Sequence, residues 1–207
     1  MNFNLMAKYF ITGIGTGIGK TLISAIVTEK LKADYWKPIQ SGDLDTSDSL
    51  TIGSLISNTK TVIHSESYRL TQPLSPHLSA KLDGIEIDLN QINIPVTANN
   101  LIIEGAGGLM VPLNETELII DLIKKLDVEV ILVSQNYLGS INHTLLSLDL
   151  LKQYHIPVKG IIFNGDENAE TERYILQYSQ AKKLGYVPQL SQIDREQIVL
   201  AGEYISL

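Results

Sequence analysis

Gly13-Ile14-Gly15-Thr16-Gly17-Ile18-Gly19-Lys20-Thr21 is the stretch that decides the fold. The apolar run Tyr9-Phe10-Ile11-Thr12 precedes it. After it come Leu22, Ile23, Ile26, Val27 and Leu31, spaced as one face of a helix. Strand, glycine-rich loop, Gly-Lys-Thr and helix, in that order, are the parts of a phosphate-binding loop. Glycines let backbone N–H groups converge on phosphate oxygens, and the start of a helix adds partial positive charge. Lys20 is then expected on the β- and γ-phosphates and the Thr21 hydroxyl on Mg²⁺. The strict motif wants its first glycine at position 14, where Ile14 stands. The dinucleotide pattern also fails, because Ile18 occupies the place of its third glycine. Gly-Lys-Thr opening a helix directly after a strand carries the reading past both departures.

Working outward, strands and helices alternate. Strands are expected over Lys8–Thr12, Tyr35–Ile39, Thr61–Tyr68, Asn100–Glu104, Val128–Ser134, Val158–Asn164 and Leu184–Val187. Helices are expected over Gly19–Lys32, Asp48–Ser57 with Ser47 as N-cap, Leu118–Leu126, Ser140–Tyr154 and Glu170–Lys183. Ser75-Pro76-His77 reads as a tight turn inside Thr71–Thr97, the least patterned region. Near-continuous apolar strands alternating with helices predict an α/β fold of the P-loop NTPase type, a mostly parallel sheet with helices on both faces. With no repeat or linker, residues 1–207 read as one P-loop domain. Ligands of such sheets bind beyond the carboxyl ends of the strands. Four suggestive groups fall there: Gly13–Thr21, Lys37–Gly42, Glu104–Gly108 and Asn164-Gly165.

Composition narrows the partners. A net charge of −7 argues against nucleic acid, whose backbone needs a basic surface. There are no cysteines, which removes disulfides, thiolate metal sites and cysteine nucleophiles and fits a cytoplasmic enzyme. No apolar run reaches membrane-spanning length, and the first residues lack a leader's basic and apolar regions. Met6 is an alternative start. The four histidines lack the spacing of a metal cluster.

Several residues stand where chemistry is expected. Glu104 follows the apolar run Leu101-Ile102-Ile103, the position at which P-loop proteins place an acid facing Mg²⁺, and Gly105, Ala106 and Gly107 let backbone approach phosphate. Asp48 heads a helix, and spacing alone leaves it open between metal ligand and helix-start residue; Asp43 and Asp45 are nearby competitors. Lys37, before Pro38 at a strand end, is placed to neutralise charge that develops in phosphoryl transfer.

Taken together, the chain resembles one family. The blocks are G-x₅-G-K-T at Gly13–Thr21, Trp36-Lys37-Pro38-Ile39-Gln40-Ser41-Gly42, Ser47-Asp48, Ser75-Pro76-His77, Glu104-Gly105-Ala106-Gly107-Gly108 and Leu138-Gly139-Ser140-Ile141-Asn142-His143. In this order, along nearly the whole chain, they resemble the dethiobiotin synthetase family. The resemblance implies a homodimeric, Mg²⁺-dependent enzyme of biotin biosynthesis. It would use ATP and CO₂ to close a ureido ring on 7,8-diaminononanoate. It implies that Gly17, Ile18, Gly19, Lys20, Thr21 and Leu22 wrap the triphosphate, and that Thr21, Asp48 and Glu104 hold the metal. Lys37 would be the principal catalytic residue and Ser41 a contact to the diamine. Gly105, Ala106 and Gly107 would line the phosphates. Asn164, with Gly165 beside it, would read the adenine edge, and Pro188, Gln189 and Leu190 would flank the base. Leu138, Gly139 and Asn142 of a neighbouring subunit would hold the substrate's carboxylate. The chain departs from some relatives at Gly15 and Gly17, and at Tyr137, where those relatives carry a lysine.

Two other functions fit the sequence less well. A P-loop amide-forming ligase of the cobyrinate amidase kind carries a glutamine-hydrolysing domain with a cysteine nucleophile, for which this chain has neither the cysteine nor the length. A Par/Min-type partition ATPase carries a signature lysine where Gly15 stands, and adds a basic or amphipathic surface that this acidic chain lacks.

Overall fold

The computed structural model describes residues 6–207. The stretch read for a leader begins at residues 1–5, which lie outside the described residues. In chain order the elements are β1 (Lys8–Gly13), α1 (Lys20–Leu31), β2 (Asp34–Trp36), β3 (Ile39–Ser41), α2 (Asp48–Leu55), β4 (Ile63–His64), β5 (Tyr68–Leu70), α3 (Pro76–Leu82), β6 (Leu101–Gly108), α4 (Ile119–Leu126), β7 (Glu129–Gln135), α5 (Ser140–Gln153), β8 (Val158–Asn164), α6 (Ala169–Ser179), β9 (Lys183–Val187) and α7 (Arg195–Ala201).

Seven strands form one parallel sheet in the order β4-β2-β6-β1-β7-β8-β9. Short β3 and β5 make a separate parallel pair. The order follows from burial. β1 lies between β6 and β7 in the middle of the sheet, and five of its six residues are buried, so it is covered on both faces. Tyr9 and Ile11 of β1 point to one face, packing with Ile23 and Ile26 of α1, Ile52 of α2 and Ile198 of α7. Phe10 points to the other, with Ile119 and Ile123 of α4 and Leu151 of α5. Each such buried isoleucine or phenylalanine contributes roughly 1.5–3 kcal/mol relative to exposure.

The mostly parallel sheet with helices on both faces is the architecture expected from the sequence. Several boundaries differ, each for a local reason. The strand expected over Tyr35–Ile39 is broken at Lys37-Pro38: proline donates no ladder hydrogen bond, and the chain leaves the main sheet there to pair Ile39 with Tyr68. The strand expected over Thr61–Tyr68 is accordingly two, β4 against β2 and β5 against β3. β6 does not end at Glu104. It runs on to Gly108, which pairs with Gly13 after a register shift in β1. The helix expected to reach Lys183 ends at Ser179, and Gln180 takes a left-handed conformation at its C-cap. Ser75-Pro76-His77 is not a tight turn but the start of α3, with Pro76 in the first helical turn, where its missing N–H costs nothing. Helix α7 has no counterpart among the helices expected from the sequence. Its N-cap Asp194 accepts from the N–H of Gln197 at 2.9 Å.

Candidate active site

At the carboxyl ends of β1, β2 and β6 the chain encloses a cavity of about 680 Å³, lined by the phosphate-loop residues, Lys37, Ser41, Asp48 and Glu104–Gly107 among others. The loop makes this possible. Gly17 and Gly19 have φ of 75° and 88°, left-handed values that a side chain would strain. Gly19 is also the N-cap of α1 and supplies no capping side chain, so the first-turn N–H groups stay open toward the cavity. Ile18, the residue that spoils the dinucleotide pattern, folds under the loop and is buried. A Cβ on Gly13 would fall 2.2 Å from its Cδ1.

Four side chains meet around one point. The Thr21 hydroxyl is 3.0 Å from Asp48 Oδ1 and 2.9 Å from Glu104 Oε1. Lys37 Nζ is 2.6 Å from Asp48 Oδ2 and 3.3 Å from Glu104 Oε1. Each arrives from a different element: Thr21 from α1, Lys37 from the break after β2, Asp48 from the first turn of α2, Glu104 from β6. Asp48 is set by two neighbours. Ser47 caps α2 by accepting from the N–H of Leu50, and Gln40 Oε1 accepts from the N–H of Asp48 at 3.3 Å. Of the competing acids, Asp43 lines the rim of the cavity, and Asp45 lies on an exposed turn.

The electrostatics follow from burial. Lys20 is pushed down to about 8, first because it is buried and then because Lys37 is near, with Glu104 and Asp48 pulling the other way. Its ammonium donates to Gly15 O at 2.8 Å. Burial alone would lower Lys37 too, but the Glu104 and Asp48 carboxylates outweigh it and hold the ammonium above its ordinary value. Tyr35, fully buried beside Glu104, is pushed well above the usual phenol range, so its hydroxyl is neutral and donates to Glu104 Oε2 at 2.9 Å.

The donor set suits a hard divalent cation. One hydroxyl hydrogen cannot serve two carboxylates, so the Thr21–Asp48–Glu104 oxygens are short of positive partners even with Lys37 present. Among the described residues no three His, Cys, Asp or Glu side chains gather for a metal. Two carboxylates and a hydroxyl are nonetheless what Mg²⁺ takes when phosphate oxygens and water fill the remaining positions.

The other expected residues lie in two further places. Asn164 ends β8, and its amide Nδ2 donates to Ile18 O at 2.9 Å, so it braces the phosphate loop, a role that spacing did not suggest. Gly165 lies just beyond with φ 94°, and its N–H donates to Val187 O at the end of β9, the residue before Pro188-Gln189-Leu190. Leu138, Gly139 and Asn142 line a second cavity of about 730 Å³, none of whose lining residues belongs to the first. Leu138 is fully exposed there. Tyr137, standing where some relatives have lysine, lies with its hydroxyl 2.7 Å from His143 Nδ1. Ser41 Oγ and Ser140 Oγ are both buried without a hydrogen-bond partner.

Loop, sheet order and cavity together define the chain as a P-loop nucleoside triphosphatase in fold. The AAA domain family matches residues 7–197. Among solved structures, a ParA family ATPase from Chlorobium tepidum superposes with a TM-score of 0.57 at 18% identity, covering 96% of this chain and 90% of that one. The MinD cell division protein of Aquifex aeolicus does so at 0.55 and 14%, covering 95% of each chain. At these identities the likeness is one of fold. Curated sequences go further. The ATP-dependent dethiobiotin synthetase of Cytophaga hutchinsonii is 54% identical over 92% of this chain and 93% of its own length. That of Christiangramia forsetii is 55% identical over 91% and 88%. The chain belongs to the family of ATP-dependent dethiobiotin synthetases, which are ATP-dependent ligases.

Proposed function

We propose that residues 1–207 form one ATPase domain that converts 7,8-diaminononanoate, CO₂ and ATP into dethiobiotin, ADP and phosphate, in the cytoplasm. The observation that carries this reading is the meeting of Lys20, Thr21, Lys37, Asp48 and Glu104 on one cavity at the strands' carboxyl ends, in a chain whose relatives are dethiobiotin synthetases. One amine of the substrate takes up CO₂ and loses a proton to give a carbamate. A carbamate oxygen attacks the γ-phosphorus, the bond to the β-phosphate oxygen breaks and ADP departs. The second amine then attacks the carbonyl of the mixed anhydride, phosphate leaves, a proton is lost and the ring is closed.

The chain's own groups serve these steps by charge and position. The open N–H groups of α1 and the Gly105–Gly107 backbone receive phosphate oxygens. Lys20 exchanges its bond to Gly15 O for the β- and γ-phosphates. Lys37, held protonated, lies between carbamate and γ-phosphate and offsets the charge that builds on the oxygens in transfer. Thr21, Asp48 and Glu104 would hold Mg²⁺, which supplies neutralisation of the β- and γ-phosphate oxygens. Ser41, whose hydroxyl lacks a partner, contacts the diamine. Asn164 offers the rest of its amide to the adenine edge, with Gly165 alongside and Pro188–Leu190 flanking the base. The Leu138–Asn142 loop serves the site of a second copy in a homodimer. Its separation from the phosphate cavity within one chain and the full exposure of Leu138 support this.

Purified protein with ATP, Mg²⁺, bicarbonate and diaminononanoate should yield dethiobiotin by mass spectrometry. ATP turnover without the diamine and no ring product would discard the reading. For the dimer, Lys37→Ala and Asn142→Asp proteins are each expected to be inactive. Reassorted by mild denaturation and refolding, they should regain about a quarter of wild-type activity, since roughly half of the dimers are mixed and each has one intact site. Reassortment seen by native mass spectrometry with no activity would place Asn142 in its own chain's site.

A further inference from the structure

We infer that Tyr35 is a positioning residue for metal binding: its hydroxyl clamps one oxygen of Glu104 and so fixes the other toward Thr21 and Lys37. The inference rests on the proposed reading of Glu104 as a metal ligand.

The register of the sheet brings the two together. Tyr35 of β2 pairs with Ile102 of β6. Side chains alternate along a strand, so Glu104, two residues on, shares the face of Ile102 and Tyr35. Tyr35 is 0% exposed, with its ring in the core among Ile23, Ile26 and Ile52. A phenol in such a place needs a partner for its hydroxyl, and Glu104 Oε2 at 2.9 Å is that partner. The two carboxylate oxygens therefore have separate duties. Oε2 faces the core and accepts from Tyr35. Oε1 faces Thr21 Oγ1 at 2.9 Å and Lys37 Nζ at 3.3 Å. A carboxylate turns easily about its last bond. Without the phenol, Oε2 loses its donor in the core, and Oε1 keeps Thr21 and Lys37, donors that Asp48 also draws on. Gln40 holds Asp48 through its backbone N–H and not through its carboxylate, so the clamp on Oε2 is particular to Glu104. A phenylalanine would fill the same core volume, which separates the clamp from packing.

The test measures metal binding, not turnover. Mn²⁺ binding in the presence of ADP, followed by loss of the free-ion electron paramagnetic resonance signal, compares wild type, Tyr35→Phe, Glu104→Gln and the double variant. Tyr35→Phe should weaken Mn²⁺ binding roughly 10-fold, the low end of the effect of removing an outer partner of a metal ligand. Glu104→Gln should weaken it more, and adding Tyr35→Phe to it should change nothing further. Tyr35 replaced by 4-aminophenylalanine, which keeps a donor at the ring's far end, should restore binding; it tests the same point should the phenylalanine variant fold poorly. Wild-type affinity in Tyr35→Phe alongside weakened binding in Glu104→Gln overturns the clamp alone. Unchanged affinity in Glu104→Gln overturns the reading of Glu104 as a ligand.

Discussion

Asp34 and Glu104 are acids buried in neighbouring strands of the same sheet, one at the amino end of β2 and the other midway along β6, and they are satisfied in opposite ways. Asp34 has four polar partners: the N–H of Val62 at 3.0 Å, Thr97 Oγ1 at 2.6 Å, Asn99 Nδ2 at 3.2 Å and His64 Nε2 at 3.2 Å. Burial alone would raise its pKa, but these bonds outweigh it and hold the carboxyl below its ordinary value. Asp34 ties β2 to the segments before β4 and β6, and nothing about it calls for another ligand. Glu104 has one neutral donor in Tyr35, shares the Thr21 hydroxyl with Asp48, and leans on a lysine that Asp48 also needs. A fully bonded acid locks structure. An acid left short of donors, beside two lysines and an open cavity, is set to receive something. The same residue chemistry is thus fully bonded at Asp34 and short of partners beside the cavity at Glu104.

The largest effect should come from Lys20→Ala. It removes the ammonium proposed to meet the triphosphate, so productive ATP use should vanish while the thermal midpoint stays near wild type; near-normal turnover in the folded variant would remove Glu104 and its cavity from the comparison altogether. Lys37→Ala should cut turnover by roughly 10²–10³-fold at saturating ATP and diamine, the scale of losing one preorganised charge stabiliser. Lys37→Arg should also be poor, because a planar fork does not replace a compact ammonium between two carboxylates. A change confined to the Michaelis constant for ATP would mean that Lys37 only binds nucleotide. Asp48→Asn should raise the Mg²⁺ concentration at half activity, since a hard cation prefers charged oxygens. An unmoved midpoint in a magnesium titration would return Asp48 to the role of a helix-start residue.

Asp34→Asn is the matched change at the other end. It should leave turnover and magnesium dependence as they are and lower stability by about 1–3 kcal/mol through unsatisfied donors. Because the folded pKa of Asp34 lies below its unfolded value, its contribution is complete above the ordinary carboxylate pKa and is lost as the pH falls through the folded one. Urea denaturation at neutral and acid pH should therefore show the wild type and Asp34→Asn converging as the solution becomes more acid. A stability gap that stays constant with pH would mean that Asp34's charge is not what the donors recognise.

The sequence carried the parts that are local. β1, the loop and α1 announce themselves through glycines beside helical spacing. β6, β7 and β8 stand out as apolar runs, and Lys37 could be placed just beyond a strand without coordinates, whereas Glu104, expected at a strand end, lies inside β6. Spacing left Asp48 open between metal ligand and helix-start residue, and the structure puts it both in the first turn of α2 and 2.6 Å from Lys37. What could not be read depends on register between distant segments. The Tyr35–Glu104 bond joins residues 69 apart, and Asn164 meets Ile18 across 146. Helix α7 did carry a local signal, an N-cap aspartate three residues before Gln197, too short a pattern to stand out among exposed polar residues. α3 was hidden by its proline, which reads as a turn and here begins a helix.

The place of β1 in the middle of the sheet has a consequence for how the chain is made. Its partners are Leu101–Glu104 with Gly108 on one side and Glu129–Val133 on the other, so during synthesis one edge of β1 stays open until β6 has followed and the other until β7 has. Contacts of such long sequence separation form slowly, and an unpaired apolar strand is a template for sticking to other chains. Fragments ending before β7 should therefore precipitate when expressed, whereas fragments that include it should begin to bind nucleotide. A nascent chain of this protein is most exposed to aggregation during the synthesis of its middle third, when a holding chaperone has the most to protect.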